Sequence, residues 1–176
     1  MKIEAQVKDL MEDIFNYPHM PYWFTVRQGM DMMKRSIPGE GSDIAYYPPP
    51  VLVFDEKYNL LGSVSVKDII IGLEPDVMKP SPVHPPAHEE SDVVPSADWD
   101  ALFGDAAHEL ADRPLSDVMV PAKLFIGPEE FVAKAAYLMI HNDLVILPVL
   151  ERKMQLVGVV RLTRIFEAIA EPLLAD

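Results

Sequence analysis

Val53 to Asp76 reads VFDEKYNLLGSVSVKDIIIGLEPD, and Val149 to Pro172 reads VLERKMQLVGVVRLTRIFEAIAEP. Set against each other without a gap, Val53 meets Val149, Lys57 meets Lys153, Leu60 meets Leu156, Gly62 meets Gly158, Val64 meets Val160 and Ile69 meets Ile165. A second echo lies upstream of each copy: Val7-Lys-Asp-Leu-Met11 and Leu115-Ser-Asp-Val-Met119. An internal repeat decides the architecture before any single residue is interpreted. Each copy is too short to bury a good core alone, so the two are expected to pack on each other.

The patterning within each copy predicts an α+β fold with the order strand, helix, strand, strand, helix. In the second copy Lys123 to Ile126 reads as a short apolar strand. Gly127-Pro128-Glu129-Glu130 reads as a helix start, with proline at the first helical position and acids in the first turn. Val132, Ala135, Ala136 and Met139 then recur at helical spacing. Leu144 to Leu150 is a nearly continuous apolar run, the pattern of a strand covered on both faces. A polar turn over Glu151 to Met154 leads to the strand Gln155 to Val160. The last helix carries Leu162, Ile165, Phe166 and Ile169. The first copy follows the same plan. Thr25-Val-Arg-Gln28 has capping-box spacing, Val26, Met30 and Met33 form its stripe, Val51 to Phe54 is the buried strand, and Val66, Ile69, Ile70 and Leu73 line its last helix. Its extra residues fall in loops around the first helix.

Three segments follow: residues 1–74 as the first repeat, 75–112 as a linker, and 113–176 as the second repeat. The linker holds proline at 75, 80, 82, 85, 86 and 95 and reads as extended. A helix is expected after Ser96, with Asp98 and Asp100 in its first turn, ending near Ala111 before Pro114.

The chain has 176 residues, 49% of them hydrophobic, and a formal charge of −13. That charge repels a nucleic-acid backbone and anionic lipid. There is no cysteine, hence no disulfide, thiolate nucleophile or Cys-ligated metal. The first residues lack a signal-peptide core and no apolar run reaches membrane-span length. A cytoplasmic protein is the simplest expectation.

The ordered set of motifs, occurring twice, resembles the cystathionine-β-synthase (CBS) domain. It comprises Val7 to Met11, Val53-Phe-Asp-Glu and Leu61 to Ile69 in the first copy, and Leu115 to Pro121, Leu147-Pro-Val-Leu150 and Val157-Gly-Val-Val160 in the second. The resemblance implies a Bateman module, two CBS domains about a pseudo-twofold axis with adenosyl-ligand clefts between them. It further implies AMP, ADP, ATP or S-adenosylmethionine as regulatory ligand, a homodimer, and an unidentified regulated partner protein.

The ribose-phosphate signature of that family is complete in the first copy as Gly62-Ser-Val-Ser65-Val-Lys-Asp68. Gly62 leaves room for close approach, Ser65 opens a helix whose free N–H groups favour an anion, and Asp68 is placed to accept from ribose hydroxyls. Val51 joins this set at the start of the buried strand. Ser-x-x-acid at a strand-to-helix junction is equally a capping box that needs no ligand, and the two roles can coexist. In the second copy the matching positions are Gly158, Arg161 and Arg164. The arginines share a helix face and suit phosphate, or else they pair with acids such as Glu167.

Other candidates are weaker. His84-Pro-Pro-Ala-His88-Glu-Glu90 has ligand types, but its prolines forbid an aligning helix, so no metal is expected. His108-Glu-Leu-Ala-Asp112 reads as a solvated face. Trp23 and Trp99 read as core or cleft-rim aromatics, with the core preferred. No catalytic set assembles by spacing, so the chain is not read as an enzyme. The reading is a stand-alone regulatory CBS pair that binds an adenosyl ligand and modulates a partner, with a scaffold bearing vestigial clefts as the alternative. A homodimer is expected through the stripes Val26, Met30, Met33 and Val132, Ala135, Ala136, Met139.

Overall fold

The computed structural model describes residues 5–36, 48–73, 104–151 and 155–174. The Pro75–Pro95 linker, the expected helix start at Ser96, the His84–Glu90 cluster, Trp99 and the turn residues 152–154 lie outside them.

The first repeat opens with a 3-10 turn at Val7–Asp9 and a short strand β1, Glu12–Asp13. β2 is His19–Pro21, α1 is Val26–Arg35, β3 is Val51–Phe54, β4 is Leu60–Val64 and α2 is Val66–Gly72. α1 begins at the capping box the spacing predicts. The Gln28 N–H donates to Thr25 Oγ1 at 3.2 Å, and the Thr25 N–H donates to Gln28 Oε1 at 2.9 Å. Next come α3, Asp105–Ala111, and a 3-10 turn at Leu115–Asp117. The second repeat continues with β5, Val120–Pro121, α4, Val132–His141, β6, Ile146–Glu151, β7, Gln155–Arg161, and α5, Leu162–Leu174.

The hairpins of the two repeats superpose position for position. Val53 pairs with Gly62 and Val149 with Gly158, and Val51 pairs with Val64 as Leu147 does with Val160. Both hairpins carry an irregularity at the same place, after Val53 and after Val149. The strand period of two then divides each hairpin between two cores. Val51 and Val53 turn toward their own helices with Met20, Val26, Met33, Val64 and Ile69. Leu147, Val149 and Val160 do the same with Val132, Ala135, Met139 and Ile165. The alternate residues Leu52 and Phe54 meet Ile146 and Val159 in a third cluster between the sheets, joined by Tyr17. The two sheets therefore meet on their buried strands.

The leading segments cross over. β1 pairs antiparallel with β7, so the sheet order is β1-β7-β6, and β5 pairs antiparallel with β4, giving β2-β3-β4-β5. The two motif residues Val7 and Leu115 are fully buried, each in the core of the other repeat. Backbone bonds fix the exchange. Val7 N–H donates to Glu130 O at 2.8 Å and Leu115 N–H to Phe24 O at 2.6 Å. Gly62 and Gly158 are where the crossing strands touch. A Cβ on Gly62 would run into the carbonyl oxygen of Val120, and one on Gly158 into that of Glu12.

Several expectations are corrected. Pro128–Glu130 is a turn, and α4 starts at Val132 with Phe131 at its N-cap. The carbonyls of Pro128 and Glu130, which a helix would use, accept instead from the N–H groups of Lys8 and Val7. Lys123–Ile126 is no strand. Only Ile126 bridges Val149, because the chain turns at once into Gly127-Pro128. β6 begins at Ile146, and Val145 is exposed at the end of the tight turn where Asp143 has φ 52°. Trp23 is half-exposed, its ring edge-on to Tyr22 at 5.1 Å, rather than in the core. Among the described residues no helix is long and apolar enough to cross a membrane.

The crossing predicts a matched pair of stability effects. Gly62→Ala and Gly158→Ala should each lower the unfolding free energy by about 1–3 kcal/mol, because backbone cannot yield to the added methyl. Gly127→Ala, whose Cβ meets only the Glu130 side chain at 3.5 Å, should change it little. Urea denaturation of the three variants checks this.

Candidate ligand clefts between the repeats

Each strand-to-helix junction presents the N-terminus of a helix at the end of a hairpin strand, with the other repeat's crossing strand alongside. In the first repeat that junction is Ser65. The Ser65 N–H and Oγ both donate to Asp68 Oδ2, at 2.8 and 2.6 Å, and the Asp68 N–H donates to Ser65 Oγ at 3.3 Å. The capping box is thus made. It occupies one carboxylate oxygen of Asp68, and Oδ1 accepts no hydrogen bond from the described residues. Both residues are partly exposed.

A cavity of about 420 Å³ lies against this sheet. Leu52, Leu60, Gly62 and Ser63 come from the first repeat, and Val120 to Leu124, Asn142, Leu144, Ile146 and Pro148 from the second. Its walls are mainly apolar, with one charged residue, Lys123, and two short polar ones, Ser63 and Asn142. Of the expected site residues only Gly62 lines it. Ser65, the cap after β4, and Asp68, in the first turn of α2, are not part of its lining, and Val51 is 1% exposed with its side chain in the first core, so that side chain reaches no cleft. The close approach that Gly62 permits is made by the chain's own β5.

The second junction is Arg161. Its Nε donates to Glu12 Oε1 at 2.6 Å, across the β1–β7 pairing. Arg164 Nη1 donates to Glu167 Oε2 at 2.9 Å, and its Nε lies 3.9 Å from the same Glu12 oxygen. The Glu167 hydrogen bond and charge, with Glu12 behind them, hold the Arg164 guanidinium above its usual pKa. Both arginines therefore pair with acids, the Arg164–Glu167 pair being the one that helical spacing offers.

A cavity of about 480 Å³ adjoins this junction, lined by Glu12, Phe15 to His19, Met32, Ser36, Pro49 and Arg161. It meets β1 at Glu12 and the end of β7 at Arg161, as the first cavity meets β5 at Val120, but the first also runs along β4 at Leu60, Gly62 and Ser63. The two cavities differ in charge. The first carries a lysine and no acid, whereas the second carries an arginine with its own carboxylate partner. A third, of about 550 Å³, lies where the hairpin ends meet, between Phe54, Tyr58 and Leu60 of one repeat and Phe125, Leu150 and Leu156 of the other. No group of three or more acids and histidines able to hold a metal occurs among the described residues.

Sequence reading missed Lys123, Asn142 and Glu12. The strand reading of Lys123 gives it no role in binding, and nothing in the spacing singles out Asn142. For Glu12 a signal was present, since the residue after the motif methionine is glutamate in one repeat and Val120 in the other.

The capping box carries a prediction. Ser65→Ala should lower stability by about 1 kcal/mol, the usual cost of an N-cap, measured by thermal and urea denaturation.

Comparison with known proteins agrees with this geometry. The CBS-domain family model matches residues 115–171. No curated protein sequence matches the chain. Among solved structures, the CBS-pair protein CBSX2 from Arabidopsis thaliana superposes with TM-score 0.65 at 15% identity, covering 98% of this chain and 99% of that one. CBSX2 in complex with AMP gives 0.62 at 16% identity, covering 96% and 98%. The cytosolic domain of the Mg2+ channel MgtE in complex with ATP gives 0.57 at 19% identity, covering 94% of this chain and 49% of that one. The second repeat is a CBS domain, and the chain as a whole has the tandem fold of a CBS pair.

Proposed function

We propose that the chain is a regulatory module that binds an adenine nucleotide or S-adenosylmethionine in the cavity beside β4 and β5, and that it modulates a partner protein rather than catalysing a reaction. The observation that carries this reading is the cavity itself. Both repeats contribute walls, its size falls in the ordinary range for small-molecule sites of about 300–1,000 Å³, and it offers apolar surface for a base with a lysine for phosphate. Further support comes from related folds seen with AMP and with ATP. In this reading Asp68 offers Oδ1 to the ribose while Oδ2 stays in the cap, so Ser65 and Asp68 serve stability and binding together.

A panel of AMP, ATP and S-adenosylmethionine followed by calorimetry tests the reading. Asp68→Asn should weaken the bound ligand roughly 10- to 100-fold, the worth of charged hydrogen bonds of about 1.5–3 kcal/mol. Lys123→Gln should weaken nucleotides but not adenosine. Absence of binding at millimolar concentration, or full affinity in Asp68→Asn, rejects the site. A scaffold with vestigial clefts would give that null result, and the self-paired Arg161 is the observation in its favour.

The module is also proposed to form a homodimer, through different residues from those the helical stripes suggest. Val26, Met33, Val132, Ala135 and Met139 are consumed by the cores. The outer faces of α4 and α5 instead expose Tyr137, Ile140, Phe166 and Leu173, and α2 exposes Ile70 and Ile71. Exposed apolar area of this extent marks an association face, and twofold pairing is the commonest closure. Light scattering should give a dimer at tens of micromolar and a monomer for Phe166→Glu. A monomeric wild type would reject the assembly.

A further inference from the structure

We propose that Glu12 is a built-in carboxylate that occupies the anion position of the second cavity and sets that cavity against phosphate-bearing ligands. Arg161 ends β7 just before α5 and lines the cavity, so a phosphate in it would meet this guanidinium. Glu12 Oε1 already takes that guanidinium at 2.6 Å, with Arg164 Nε 3.9 Å from the same oxygen. The Arg161 and Glu12 side chains are only 29% and 28% exposed, so the pair is sheltered at the cavity wall. Its geometry is fixed by the fold, because strand pairing sets Glu12 opposite Val159, two residues before Arg161. A tethered carboxylate competes at high effective concentration with any free anion, and its own charge repels one.

The other cavity supplies the internal comparison. There the position equivalent to Glu12 is Val120, which pairs with Ser63 as Glu12 does with Val159. No acid lines that cavity, and Lys123 does. The cavities differ as well at Lys123, whose counterpart is Phe15, and at the junction, where Ser65 stands for Arg161, but Glu12 is the acid that neutralises the cation of the second cavity, and the first has no acid in its lining. The inference rests on reading both cavities as ligand clefts, and not on which nucleotide binds the first.

The test uses inorganic tripolyphosphate as probe, titrated by calorimetry at low salt into the full chain carrying Lys123→Gln, so that the first cavity contributes little. Adding Glu12→Gln removes the competing charge and should tighten tripolyphosphate binding by about tenfold or more. Glu12→Val, which copies Val120, should do the same. Arg161→Gln on top of either should abolish the gain. Glu171→Gln changes the net charge equally on the exposed side of α5 and should give no gain. The proposal is overturned if neither Glu12 variant gains affinity, if the gain survives Arg161→Gln, if Glu171→Gln matches it, or if both Glu12 variants lose the folded circular-dichroism signal and so show the pair to be structural. Failure of AMP to bind the wild-type chain would reject the proposed function while leaving this result readable.

Discussion

The structure depends on a reciprocal exchange. Val7 fills the core of the second repeat and Leu115 fills that of the first, each fully buried. A buried side chain of this kind contributes about 1.5–3 kcal/mol, a large share of the stability of so small a unit. The strands that follow these anchors, β1 and β5, then have nowhere to lie but along the other repeat's hairpin. That placement demands a residue without a side chain at the crossing, which Gly62 and Gly158 supply.

The same exchange builds the clefts. Where β5 runs past β4, and β1 past β7, residues of both repeats come to face a shared cavity, and the strand-to-helix junction stands beside it. The pseudo-symmetry of the backbone makes the two cavities counterparts. The side chains on the crossing strands make them unlike: valine and a following lysine on one side, glutamate on the other.

Much of this was legible in the sequence, because the repeat compares two independent readings of one plan. The hairpin registers follow from the alignment of Gly62 with Gly158, and the Thr25 and Ser65 caps from spacing alone. Where local rules failed, a distant partner had claimed the backbone. Pro128-Glu129-Glu130 has good helix-start chemistry, yet its carbonyls bond to residues 7 and 8. The stripe on α5 was correctly spaced, but Ile165 alone is buried while Phe166 faces outward, since spacing does not say how wide a face the core can cover. The candidate site was less legible. The signature identified the junction and its cap, but Glu12 on β1 and Lys123 just past β5 are brought to the clefts only by the exchange.

The crossover also governs the order in which the chain is able to fold. Gln6 meets Glu129, 123 positions away, and the first core waits for Leu115. Contacts so distant in sequence delay the rate-limiting step, because the ends must be brought together before they are rewarded. During synthesis the first repeat leaves the ribosome with one core position vacant, and the segment around Val7 has no partner until α4 has been made. The two repeats thus mature together, as a single cooperative unit, although they are written one after the other.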